Sequence, residues 1–162
     1  MSYGSGNFTG EEWIDTVRLS PELVISKQSI GVASTSTGLS PGEDGILGVG
    51  PVGLTSGTVS GVDTVPTVSD NLLSQGTISE EVLGVYYIPS PETSKNGKLT
   101  FGGYDETAIV GPVVYAPLTT TSPASTYWGV DLSISYGGTT ILSSTAGIID
   151  TGTSLVLIAT GE

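Results

Sequence analysis

The chain has neither cysteine nor histidine among its 162 residues. Without cysteine there is no disulfide and no thiolate chemistry, and the redox compartment leaves no trace. Without histidine, the Ser-His-Asp and Cys-His nucleophilic mechanisms are excluded, together with the commonest zinc sites. Carboxylate chemistry is what remains. Bases are almost missing too. Arg18, Lys27, Lys95 and Lys98 stand against sixteen acids, so the net charge is −12 and the isoelectric point about 4.1. Four bases cannot assemble a basic patch, which argues against nucleic acid and anionic membrane surfaces as partners. The acidity suits a protein that works in acid, where protonated carboxyls repel less; solubility alone accounts for it equally well. No signal peptide is visible, and no run reaches the roughly 18 apolar residues of a membrane helix.

What is present is glycine, hydroxyl residues and short β-forming runs. The length suffices for one domain with a real core. Runs rich in β-branched and aromatic residues, bounded by Gly, Pro or Ser, predict an all-β fold with strands over 13–19, 23–32, 82–88, 98–101, 113–116, 128–134, 139–142 and 148–150. Gly137-Gly138 is a hairpin turn. One helix is predicted between Pro66, placed in its first turn, and Gly76, with Val65, Val68, Leu72 and Leu73 on one face. A second short helical turn is expected over 105–109. Residues 34–43, 50–64 and 89–97 read as loops. Trp13, Tyr127 and Trp128 are expected in the core. No clean linker interrupts the chain, so one compact unit is the default.

The most informative stretch is 147–155, Gly-Ile-Ile-Asp-Thr-Gly-Thr-Ser-Leu. An aspartate ends an apolar run with the look of a buried strand, hydroxyls and a glycine follow, and a second apolar run begins at Leu155. Such a turn holds a carboxylate with hydroxyls and backbone amides at the mouth of a core. The tripeptide Asp150-Thr151-Gly152 is a weak signal in so Gly-, Ser- and Thr-rich a chain; the longer string is far more specific.

On this string the chain resembles the pepsin-like aspartic proteases, most closely the cysteine-free polyporopepsin-type enzymes of basidiomycete fungi. Further segments carry the resemblance along nearly the whole chain. Tyr3-Gly4-Ser5-Gly6 resembles the family's flap, the hairpin tip that closes over substrate. Asp44-Gly45-Ile46-Leu47-Gly48 resembles the segment threading beneath the first catalytic loop. Asp70-Asn71-Leu72, Leu99-Thr100-Phe101-Gly102-Gly103 and Tyr127-Trp128-Gly129-Val130 follow in the family's order. The resemblance implies a partial pepsin-like fold of the bilobal β-barrel type with one or two short helices. Residues 1–115 would be the rest of the N-terminal lobe and the interlobe sheet, with an interlobe strand near 115–126. Residues 116–162 would begin the C-terminal lobe.

The same resemblance implies an aspartic endopeptidase acting on extended peptide or protein substrates, secreted, and needing no metal or organic cofactor because its nucleophile is water. Asp150 would be a catalytic carboxylate. Tyr3, Gly4, Ser5, Gly152 and Thr153 would contact substrate, and Thr151 would reach toward the opposite lobe. Asp15 and Asp44 would be structural. The family pattern has two Asp-[Thr/Ser]-Gly loops and this chain has one. Two carboxylates about 3 Å apart share one proton, so that one is the base on water while its protonated partner polarises the scissile carbonyl. Asp150 alone does half of this, so the isolated chain is expected to be inactive. Two alternatives stay open. One is a truncated, non-catalytic relative binding peptide or protein through exposed strand edges. The less favoured is a homodimer with one Asp150 per copy. Asn7-Phe8-Thr9 is a glycosylation sequon in the expected flap, and from sequence alone chance occurrence outweighs use.

Overall fold

A computed structural model describes residues 1–4, 6–38, 42–88 and 97–158. Although composition marks no linker, the chain divides into two compact units, Met1–Val113 and Val114–Glu162. The fold is all-β, and each sheet among the described residues is a two-stranded antiparallel hairpin.

The first unit is built on β1 (Asn7–Arg18) and β2 (Val24–Thr37). Both run further than the alternation of apolar residues predicts. Residues 34–37, expected in a loop, are strand. A hydroxyl ladder holds this polar end: Thr9 and Thr35 Oγ1 meet at 2.7 Å, Ser34 Oγ donates to the Thr9 carbonyl at 3.1 Å, and the Asn7 amide donates to Thr37 Oγ1 at 3.4 Å. Hydrophobic patterning carries no signal for such a pairing, which rests on cross-strand polar pairs. Register shifts at Thr9/Gly10 and Asp15/Val17 mark bulges. At the first, a Cβ on Gly10 would lie 1.9 Å from the Val32 carbonyl oxygen, so only glycine fits.

Helix α1 (Val68–Ser74) starts one residue after a Thr67 cap. Thr67 Oγ1 accepts from the Asp70 amide at 3.4 Å, and Asp70 Oδ2 accepts from the Thr67 amide at 2.7 Å, forming a reciprocal capping box. Pro66 therefore precedes the cap instead of occupying the first turn, and its carbonyl accepts from Gln28 Nε2 at 3.2 Å. Val68 and Leu72 are buried against Ile25 and Ile78, with Leu19, Leu23 and Phe101 packed at the margin. Leu73 points away from this cluster and is exposed, because a seven-residue helix buries only one narrow stripe. Gly76 ends the helix at φ +71°. Buried Gln28 ties strand to helix: its Oε1 accepts from Asn71 Nδ2 at 3.0 Å while its amide serves the Pro66 and Ser29 carbonyls.

β3 (Leu83–Tyr87) pairs with β4 (Gly97–Phe101), so Gly97 is strand, and the rest of the loop expected over 89–97 lies outside the described residues. Beyond β4, a short 3-10 turn, Glu106–Ala108, occupies the predicted second turn. Asp105 caps it, accepting from the Thr107 amide at 3.0 Å and hydroxyl at 2.5 Å, while Lys98 Nζ bonds its Oδ2 at 2.8 Å. These hydrogen bonds hold the Asp105 carboxyl down at about 2. What the ionised form contributes to stability is complete above the ordinary aspartate value and is lost only as pH falls through about 2, so it survives mild acid.

In the second unit, β5 (Gly129–Tyr136) and β6 (Thr139–Ile148) are joined at Gly137-Gly138, whose positive φ of 56° and 80° suit the predicted tight turn. β6 is one strand where the sequence suggests two: Thr145 pairs with Leu132 and Leu142 with Ile134, and the strand carries through Ser143 and Ser144 at an irregularity in the register. Residues 113–116 form no strand, and pairing is limited there to a bridge between Leu118 and Val130. The core is small. Five apolar side chains are buried among the described residues, whereas Trp13 is 58% exposed and Tyr127 and Trp128 also face solvent, against expectation. A two-stranded sheet has no second layer to cover such rings.

Two outcomes follow for the first unit. Leu72→Ala removes one of the two fully buried large side chains and is expected to cost about 2–5 kcal/mol in urea unfolding. Glu81 titrates in the opposite sense to Asp105. Partial loss of water, then the negative charge of Asp70 and a hydrogen bond to it, raise the Glu81 carboxyl above its ordinary value. Much of Glu81 still faces solvent, which limits the effect. A raised carboxyl favours the folded state fully below the ordinary value of 4.5 and loses that contribution as pH rises beyond it. Thermal midpoints of the wild type should therefore fall between pH 4 and 7 more than those of Glu81→Gln.

Candidate active site

The end of β6 sets Asp150 in place. The Ile149 amide donates to the Trp128 carbonyl at 2.9 Å, the last rung of the β5–β6 pairing, and the chain then turns. Asp150 Oδ1 accepts from the Gly152 amide at 2.9 Å and Oδ2 from the Thr153 hydroxyl at 2.5 Å. The Thr153 amide reaches back to the Asp150 carbonyl at 3.4 Å. This is an Asx turn in which the carboxylate organises its own loop. Both oxygens are thereby oriented by donors of the same loop. A Cβ on Gly152 would stand 3.3 Å from Oδ1, so any larger residue crowds the carboxylate.

Of the predicted site residues, the turn brings together Asp150, Gly152 and Thr153. The apolar runs flanking them are not buried as predicted: Ile149 is 60% exposed and Leu155 72%, and Val156 and Leu157 are likewise open. Hydrophobicity alone predicts their burial, but within this chain nothing among the described residues packs over them.

Tyr3 and Gly4 lie in the first unit, in a hairpin tip continuous with β1. The Met1 ammonium donates to the Phe8 carbonyl and the Phe8 amide to the Met1 carbonyl, both at 3.0 Å; the Tyr3 amide closes the tip on the Gly6 carbonyl at 2.7 Å. Tyr3 stacks on Phe8 with ring centroids 6.1 Å apart and 28° between planes. Pairing and stacking hold a tyrosine whose closeness to the chain start would suggest fraying, and burial pushes its phenol pKa up. Gly4 has open space about it, and Ser5 lies outside the described residues. Gly6 stands in the flap segment but not among the predicted site residues, and a Cβ there would lie 2.0 Å from the Thr37 carbonyl oxygen; the run of glycines at 4, 6 and 10 was the available signal.

Of the two aspartates read as structural, the Asp15 side chain accepts, among the described residues, from its neighbour, the Thr16 amide, at 2.6 Å, and Asp44 lies in an exposed segment without regular structure. Among the described residues no three His, Cys, Asp or Glu side chains gather as metal ligands, and no helix is long and apolar enough to cross a membrane.

The family model for eukaryotic aspartyl proteases matches residues 1–162. The chain belongs to that family. Among its relatives, polyporopepsin of Irpex lacteus is 56% identical over 163 aligned positions, covering 98% of this chain and 47% of that protein. Rhizopuspepsin-1 of Rhizopus niveus is 36% identical, covering 98% of this chain and 39% of its own length. The crystal structure of the Irpex lacteus aspartic proteinase superposes with a TM-score of 0.94, again over 98% of this chain and 47% of that one. This aspartyl protease chain thus has the pepsin-like fold and spans about half the length of the curated relatives it matches.

The Asx turn of this family member is open to direct measurement. Asp150→Ala removes both acceptors, so the Gly152 amide should exchange its hydrogen about tenfold faster, as expected for losing roughly 1.4 kcal/mol of a bond to a charged acceptor. The Phe8 amide should be unaffected.

Proposed function

We propose that this chain is the middle half of an acid endopeptidase and that Asp150 is one of its two catalytic carboxylates. The carrying observation is the Asx turn at 150–153, whose carboxylate is held by the Gly152 amide and the Thr153 hydroxyl in a chain matching an aspartyl protease family throughout. In this reading 1–115 completes the N-terminal lobe with its interlobe strands, and 116–162 opens the C-terminal lobe. Asp150 shares a proton with a second aspartate from a partner loop, and the pair activates a water against an extended peptide. Tyr3, Gly4 and Ser5 close over the substrate, while Gly152 and Thr153 meet its backbone. The enzyme is secreted, and no metal or cofactor takes part.

The chain by itself lacks the second loop, so it cleaves nothing. Exposure of Ile149, Leu155, Val156 and Leu157 around the acidic turn supports this reading, since a working dyad needs a dry wall there. The same exposed surface favours a second reading, a non-catalytic relative that binds peptide or protein through its strand edges. A homodimer supplying two Asp150 residues ranks below both, because flap and acidic turn come from different units.

Cleavage of an unfolded protein substrate at pH 3 to 5 separates these. The 162-residue chain should be inactive at every concentration. The same chain extended by flanking sequence with an in-frame upstream Asp-[Thr/Ser]-Gly should cleave, be blocked by pepstatin and lose at least 1,000-fold in kcat as Asp150→Asn, roughly 4 kcal/mol of transition-state stabilisation. Activity of the short chain rising with the square of concentration would establish the dimer instead.

A further inference from the structure

Asn7-Phe8-Thr9 is the chain's sole Asn-x-[Ser/Thr] sequence; Asn71 and Asn96 are followed two residues on by Leu73 and Lys98. The fold gives it a context that composition does not. Asn7 is exposed and is the first residue of β1, at the base of the hairpin tip. Successive strand residues face opposite sides of a sheet. Phe8 turns to one side, where its ring stacks on Tyr3 and lies over Gly31. Asn7 and Thr9 therefore share the other side. That side carries the hydroxyl ladder of Thr9 and Thr35, polar and exposed, in a sheet of only two strands.

From this placement we infer that Asn7 is an N-linked glycosylation site whose glycan projects from the tip hairpin on the side opposite the Tyr3–Phe8 stack. The inference rests on the proposed secretory route. The co-reactant is a lipid-pyrophosphate-linked oligosaccharide. Asn7 Nδ2 forms a bond to the anomeric carbon, the bond from that carbon to the pyrophosphate oxygen breaks, the lipid pyrophosphate leaves with the electron pair, and the amide loses one proton to the transferase's base. In the folded chain the Thr9 hydroxyl is engaged by Thr35, so transfer precedes closure of the hairpin. Afterwards the glycan covers the Thr9–Thr35 end of the hairpin and hinders pairing with other chains there, leaving the tyrosine side open.

The test expresses the whole chain behind a secretory signal in a yeast, with an added C-terminal Asn-Gly-Thr tag that reports entry into the secretory route. Entry is then independent of where the native protein goes, so failure of the inference is distinct from failure of the secretion proposal. Intact mass should show two glycosidase-sensitive additions in the wild type and Thr9→Ser, and one in Asn7→Gln and Thr9→Ala. A tag addition alone in the wild type overturns the inference. Equal thermal midpoints for the glycosylated and enzymatically deglycosylated chains are expected; a midpoint lowered by the glycan would overturn its placement on the open side.

Discussion

Pairing of β1 with β2 is the constraint on which the first unit depends. It fixes the tip that carries Tyr3, and through Ile25 and Gln28 it provides the surface on which α1 docks. Each of these rests on register. A slip by one residue would turn Ile25 to solvent and Lys27 or Ser26 to the helix, and would bring the wrong carbonyls against Gly6 and Gly10. Two bulges and two crowded glycines hold the register where apolar burial is too sparse to do so. Such a device costs no side-chain packing, only the freedom to substitute those glycines.

In the second unit the same economy appears on a smaller scale. Ala124 is the one buried apolar side chain there among the described residues, and its carbonyl oxygen approaches Gly129 so closely that a Cβ would stand 2.3 Å away. Backbone approach, a Thr119–Asp131 hydrogen bond of 2.7 Å and the Gly137-Gly138 turn take the place of a core. Asp150 hangs from the end of this frame, held by its own loop. The geometry of the carboxylate is thus local, whereas among the described residues nothing covers the apolar side chains beside it.

This difference explains what was legible in the sequence. Local chemistry could be read: the Gly-Gly hairpin, the helix ending at Gly76, the Asp105 turn, and the donor-rich loop after Asp150. Strand extents differ from the apolar alternation at 34–37, where hydroxyl pairs replace it, and at 143–145, where the strand runs on through a register irregularity. Burial was misread most. Trp13, Trp128, Ile149 and Leu155 have the composition of interior residues but no layer to face, because hydrophobicity records what a residue is suited to and not what lies opposite. Only coordinates reveal close approach, so the crowding at Gly6 and Gly129 was not legible in the segments that contain them.

The two-stranded character of every sheet among the described residues has a further consequence for how the molecule opens. A lone hairpin is marginal in water, so its opening free energy is set by whatever backs it. β1–β2 is backed by α1 and the cluster around Leu72, whereas in the unit of β5–β6 Ala124 is the single buried apolar side chain among the described residues. The chain should therefore behave as unequal foldons, the acidic turn belonging to the one that breathes first. In such a molecule the Asp150 carboxylate sits at the shallow end of the stability gradient, and whatever covers that hairpin would order the acidic turn in the same step as it closes the sheet.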